Sequence, residues 1–136
     1  MTDCIFCKII NKEIPAKIIA ENENAIAFLD IEPCSDGHTL VVPKKHYKNF
    51  SSTPKEVLAD VMSLAKDVVA IIERTSLHPY GYNYLSNEGD VAGQFVFHFH
   101  LHIIPKYGKN EGFTVAYVNK QLLPTQEVYE KIKKVL

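Results

Sequence analysis

Residues 94 to 105, QFVFHFHLHIIP, alternate so strictly that a strand is the first structure they suggest. Successive side chains of a strand point to opposite faces. Gln94, Val96, His98, His100, His102 and Ile104 then share one face, and Phe95, Phe97, Phe99, Leu101 and Ile103 share the other. The second set is wholly apolar and predicts burial beneath a helix, which leaves all three imidazoles on the opposite side as an open ridge. A rise of about 3.3 Å per residue separates neighbouring histidines by about 6.6 Å at the backbone, and His98 from His102 by about 13 Å. Metal-nitrogen bonds are only about 2.1 Å long, so neighbours could share an ion but the two outer histidines are badly spaced for it. A phosphorylated substrate lying along the strand, or a division of labour among the imidazoles, suits the spacing better.

The helix that would cover the apolar face opens at Thr53-Pro54-Lys55-Glu56. Thr53 fits an N-cap, Pro54 the first helical position and Glu56 a capping box. Val57, Val61, Leu64, Ala65, Val68 and Ile72 then recur on one face. A short helix is expected over 4 to 11, extended segments over 16 to 21, 24 to 30, 38 to 43 and 81 to 87, and a Gly-rich loop over 87 to 94. The strand at 94 to 105 should stop at Pro105, and Val128, Ile132 and Val135 suggest a last helix over about 125 to 135. The extended segments should pair as antiparallel strands.

At 136 residues the chain fits one domain. Its 46% hydrophobic and 23% charged residues are ordinary for a soluble protein, and a formal charge of -1 gives no basic excess for a nucleic-acid polymer. Small phosphorylated ligands need only a few placed donors and stay open. MTDCIFCKIINKEIP lacks the features of a signal peptide, and no run reaches the roughly 18 apolar residues of a membrane span. A cytoplasmic protein without a membrane partner is expected. Cys4, Cys7 and Cys34 are an odd set that such a compartment keeps reduced, which favours a metal or redox role for Cys4 and Cys7 over a structural disulfide. Cys34 and His78 read as loop residues.

At GQFVFHFHLHIIP the chain resembles the histidine triad (HIT) family, whose signature is His-x-His-x-His followed by apolar residues. CIFCKIINKEIPAKII, AFLDIEP at 27 to 33, GHTLVVPKKH at 37 to 46 and NEGDVAGQ at 87 to 94 extend the likeness to the nucleotide-binding branch that includes the Hint proteins. The resemblance implies an α+β fold: a five-stranded antiparallel sheet with one long and one or two shorter helices, dimerising into a continuous ten-stranded sheet. It also implies a purine nucleotide site for AMP or GMP derivatives and hydrolysis at the α-phosphate of a phosphoramidate or related ester.

Carried over by position, His100 would be the nucleophile that forms a nucleotidyl-histidine, and His102 would bind the phosphoryl oxygens or leaving group and assist proton transfer. Asn87, Gly93 and Gln94 would surround the phosphate, Asp30 would accept from ribose hydroxyls, and Ile5, Phe6, Ile9, Phe28 and Ile31 would form the base pocket. His38 has two readings, a residue lining the site near His100 or a turn histidine starting a strand. Phe95 departs from the pattern, since many relatives carry a small hydroxyl residue there that helps hold the phosphate. Bacterial members with the N-terminal cysteine pair resemble this chain, and in them zinc joins positions that correspond to Cys4, Cys7, His46 and His98. That would be a closed structural site; the competing redox reading lacks the strand-helix context of a thioredoxin-type pair. A dinucleoside polyphosphate hydrolase and a non-catalytic, zinc-stabilised nucleotide adaptor are the rival functions.

Overall fold

Two strands whose side chains are nearly all buried, β2 (Ala25–Leu29) and β3 (Thr39–Pro43), lie inside a sheet covered on both faces in the computed structural model, which describes residues 3–136. With β1 (Ile18–Glu21), β4 (Gly81–Leu85) and β5 (Leu101–Lys106) they form a five-stranded sheet of order β1-β2-β3-β5-β4, every pairing antiparallel. On one face Ala25, Ala27, Val41, Leu101 and Ile103 pack with Val61, Leu64, Ala65, Val68 and Ile72 of the long helix α2 (Lys55–Glu73). On the other, Ile26, Phe28, Leu40 and Val42 meet Phe6 and Ile9 of the short helix α1 (Ile5–Ile10). Alternation in β2 and β3 thus supplies two apolar faces, as expected of strands buried on both sides. Among the described residues no helix is long and apolar enough to cross a membrane.

The helical periodicity of α2 is borne out, but its start is not. Pro54 is extended (φ -59°, ψ 147°) and is itself the cap, with no side-chain cap bond. The Thr53 hydroxyl donates backward to the Asn49 carbonyl at 2.7 Å, so it closes the preceding turn and leaves no capping box.

The strand expected over 94 to 105 is shorter and shifted. β3 last pairs with β5 at Val41 and Leu101, although β3 itself runs on to Pro43, and β4 ends opposite His102, so residues 94 to 100 lie outside the ladder. Their backbone turns away, and the Phe99 N–H donates to Tyr47 at 2.6 Å. Phe99, Leu101 and Ile103 face α2 as predicted, whereas Phe95 and Phe97 are 91% and 43% exposed. Nor does Pro105 stop the strand. It lies beyond Ile103, the last partner of β3, so β5 is flanked there by β4 alone. The last helix, α3 (Thr125–Lys133), is present with no buried residue.

Candidate functional site

Two clusters of polar side chains lie on the α1 face, joined by β5 and the irregular segment before it. The first gathers Cys4, Cys7, His46 and His98, whose donor atoms all lie within 4.8 Å of one another. Sulfur to nitrogen distances are 3.4 Å for Cys4 to His98, 3.4 Å for Cys7 to His46 and 3.6 Å for Cys7 to His98. Bonds of about 2.3 Å to sulfur and 2.1 Å to nitrogen place the donors of a tetrahedral zinc about 3.4–3.8 Å apart, so the set fits that ion.

Two further observations are compatible with a cation at this centre. His98 Nε2 donates to the Pro43 carbonyl at 2.9 Å, which leaves Nδ1 as a lone pair directed at His46 Nδ1, 3.1 Å away. At that distance His46 Nδ1 can either donate its N–H to His98 or share a cation with it. Burial, and then the neighbouring Cys4, hold the Cys7 thiol up at about 11, so a bound metal must displace its proton. Burial holds His98 down at about 4, which keeps it neutral as a ligand must be.

The second cluster contains His100, His102, His38 and Asp30. His100 is not on an open ridge: it is only 8% exposed, and the Phe6 ring meets it edge-on at 5.0 Å between centroids. The expected ridge fails because α1 folds across the histidine face of the sheet. The ring is nonetheless free of the cysteine cluster. Its Nδ1 donates to the His98 carbonyl at 2.8 Å, so Nε2 carries the lone pair. Burial lowers its pKa and preserves that neutral, nucleophilic form.

Backbone contacts also settle the tautomers of His38 and His102. The Cys34 N–H donates to His38 Nδ1 at 3.2 Å, which puts the His38 proton on Nε2. That atom lies 3.0 Å from His102 Nδ1 and 3.5 Å from Asp30 Oδ2. His102 therefore accepts at Nδ1 and keeps its own proton on Nε2 when neutral. Burial, and then the adjacent His100 and His38, push His102 down to about 4. His38 lies beside His102 and Asp30, in the turn that leads into β3. Asp30 likewise does two things, since its Oδ1 accepts from the Glu32 N–H at 2.9 Å in a turn.

The Gly-rich loop is braced from within. Gln94 is buried, its oxygen accepts from Gly89, and its amide donates to the Lys48 and Val96 carbonyls at 2.7 and 3.1 Å. With both N–H groups engaged, Gln94 shapes the loop. Asn87 donates to the Gly93 carbonyl at 3.3 Å, and Gly93 has φ +95°. Of the apolar set, Phe6, Ile9 and Phe28 share one buried cluster, while Ile5 and Ile31 are 37% and 74% exposed and lie outside it. Residue types gave no sign of Pro43, Tyr47 and Lys48, which act through their carbonyls.

The HIT domain family model matches residues 11–109. An adenosine 5'-monophosphoramidase of Schizosaccharomyces pombe is 40% identical over 136 residues, covering 96% of this chain and 98% of the relative. A HIT family protein from Bacillus anthracis superposes with TM-score 0.87 at 40% identity, over 98% of this chain and 94% of that one. A zinc-bound histidine triad family protein from Mycobacterium smegmatis gives TM-score 0.76 at 37% identity, over 82% and 81%. The match over 11–109 includes the three alternating histidines and the loop before them, and the chain belongs to the HIT domain family.

Proposed function

We propose that this protein is a purine nucleoside phosphoramidase whose nucleophile is His100. The observation that carries the reading is the buried His100 ring, locked by the His98 carbonyl so that Nε2 offers its lone pair. The adenosine 5'-monophosphoramidase relative supports the reaction class. In the proposed cycle Nε2 attacks the α-phosphorus and the phosphorus-nitrogen bond breaks. The departing amine takes a proton from solvent, while the His102 Nε2–H, oriented by His38 and Asp30, donates a hydrogen bond to the phosphoryl oxygens. Water then cleaves the nucleotidyl-histidine, releasing AMP or GMP and restoring His100. Asp30 accepts from the ribose, Asn87 and Gly93 contact the phosphate from a loop held by Gln94, and the base lies against Phe6, Ile9 and Phe28 with Ile5 and Ile31 at the rim.

Zinc, held by Cys4, Cys7, His46 and His98, supplies a structural anchor between α1 and the strand. The working unit is a homodimer joined along β4, an edge of the sheet beside an apolar hollow of about 310 Å³ lined by Met62, Ala65, Lys66, Val69, Tyr84 and Leu101. The proposed partners are purine nucleotides and a second copy, with neither a nucleic-acid polymer nor a membrane, and the compartment is cytoplasmic. Dinucleoside polyphosphates would meet the same groups and are the alternative substrates.

A nucleotide-binding adaptor is the second reading, favoured by the exposed Phe95 beside the loop, where no hydroxyl can help hold phosphate. His100→Ala decides between them. The variant should fold as the wild type does by circular dichroism yet release no AMP from an adenosine phosphoramidate. Unchanged turnover removes the nucleophile, and wild type that binds AMP but turns over no nucleotide derivative establishes the adaptor.

A further inference from the structure

Cys4 and Cys7 have a second relationship that metal binding alone does not use. Cys4 is the N-cap of α1 with φ -81° and ψ 115°, and its sulfur accepts the Cys7 N–H at 3.4 Å. The two sulfurs are within 4.8 Å of each other. Positions three apart on a helical turn place their Cα atoms about 5 Å apart. A disulfide spans Cα separations of roughly 4.4–6.8 Å, so one turn of α1 can close it by side-chain rotation. Neither thiol is sealed in the interior. Both are partly exposed, and Cys4 lines a cleft of about 520 Å³ with Asp3, Ile5, His46, Phe95, Val96 and Phe97.

We infer that Cys4 and Cys7 are an oxidisable dithiol: a hydroperoxide converts the pair to a disulfide, expels the metal and loosens α1 from the segment carrying His100. This rests on the zinc reading above. Metal coordination keeps both sulfurs deprotonated, the form that attacks peroxide. Cys4 sulfur, at the cleft, attacks one peroxide oxygen; the oxygen-oxygen bond breaks, and the sulfur becomes a sulfenic acid as hydroxide or alkoxide leaves. Cys7 sulfur then attacks that of Cys4, the sulfur-sulfur bond forms and hydroxide leaves. Each sulfur has given one electron, and solvent protons convert the leaving groups to water, or to water and an alcohol. Two of four ligands are gone, and His46 with His98 alone holds the ion weakly.

The consequence reaches the nucleotide site through Phe6. That ring lies 5.8 Å from His98, 5.0 Å from His100 and 5.7 Å from Phe28 between centroids, so α1 is both the metal's anchor and a wall of the base pocket. Phe6 and Ile9 remain packed when the metal leaves, which predicts a loosened helix in a folded domain.

The test uses the full-length Cys34→Ser chain, so that only one thiol pair can react. Metal content is measured first, and a metal-free preparation overturns the zinc reading and the inference together. Metal-loaded protein is then titrated with hydrogen peroxide while a chromophoric chelator reads zinc, mass spectrometry reads the Cys4–Cys7 peptide, and hydrogen exchange reads α1. Expected are release of about one zinc per chain, a peptide about 2 Da lighter, and α1 amides exchanging about tenfold faster, all reversed by dithiothreitol and fresh zinc. Zinc retained after peroxide, or released with sulfinic acid and no reversible disulfide, overturns the inference while the zinc and phosphoramidase readings stand. Turnover is not a readout, so failure of the phosphoramidase reading leaves the result interpretable.

Discussion

His38 Nε2 and His102 Nδ1 face each other at 3.0 Å, and the Cys34 N–H on the far side of the His38 ring determines which of them holds the proton. Both rings have pKa values lowered first by burial, His102 to about 4. Turnover of an adenosine phosphoramidate should therefore stay level as pH falls through about 6.5, where a free imidazole titrates, and decline only toward the lowered value. A kcat profile with its midpoint near 6.5 would contradict this placement. Stability follows the same sign: the unfolded chain binds more protons below about 6.5, so folding free energy is complete above that pH and is lost toward about 4. Thermal melts across this range read it directly.

Gly93→Ala should weaken substrate binding more than chemistry. Its φ of +95° is unfavourable for alanine, and the added methyl would lie 3.3 Å from Asn87 Nδ2. We expect KM to rise about fivefold with kcat reduced less than about twofold, read from steady-state kinetics.

Chelation should destabilise the fold as well as remove metal. The proposed zinc would tie α1 to the segment around His98, so its removal should lower Tm by about 5 °C or more. Cys4→Ser should lose bound metal, whereas Cys34→Ser should retain it.

Leu64→Ala leaves a void where α2 meets the sheet. Leu64 is 1% exposed within the larger core cluster, and its truncation should cost about 2–5 kcal/mol in denaturant unfolding.

Met62→Glu tests the assembly. Met62 is exposed beside the hollow along β4, so a carboxylate there should shift the protein from dimer to monomer in sedimentation without lowering helix content. An unchanged dimer would move the interface elsewhere.

Long-period patterns made the α2 side of the fold legible, since Val61, Leu64, Val68 and Ile72 repeat over about three turns and their partners alternate in β2, β3 and β5. The α1 side was harder to read. A helix of six residues has little periodicity, and its path across the histidines depends on Phe6, Ile9 and the cluster that Cys4 and Cys7 form with the distant His46 and His98. Alternation at Phe95 and Phe97 misled because the chain joins the sheet only from Leu101 onward, where pairing with β3 begins, and β4 ends opposite His102. Histidine spacing correctly disfavoured a single site for three rings, and the cysteine pair carried the alternative. The braces around the site stayed hidden because they are carbonyls of Pro43, Tyr47, Lys48 and His98, atoms that every residue possesses.

The peptide oxygen between the proposed metal ligand and the proposed nucleophile belongs to His98, yet no side-chain replacement at that position can delete it. A chain altered there to abolish coordination would still present His100 with the same acceptor, provided the main chain keeps its path. Anchoring and chemistry are thus separable by mutagenesis at one residue, and whatever activity survives such a change measures how far the ion serves the reaction by holding the backbone still.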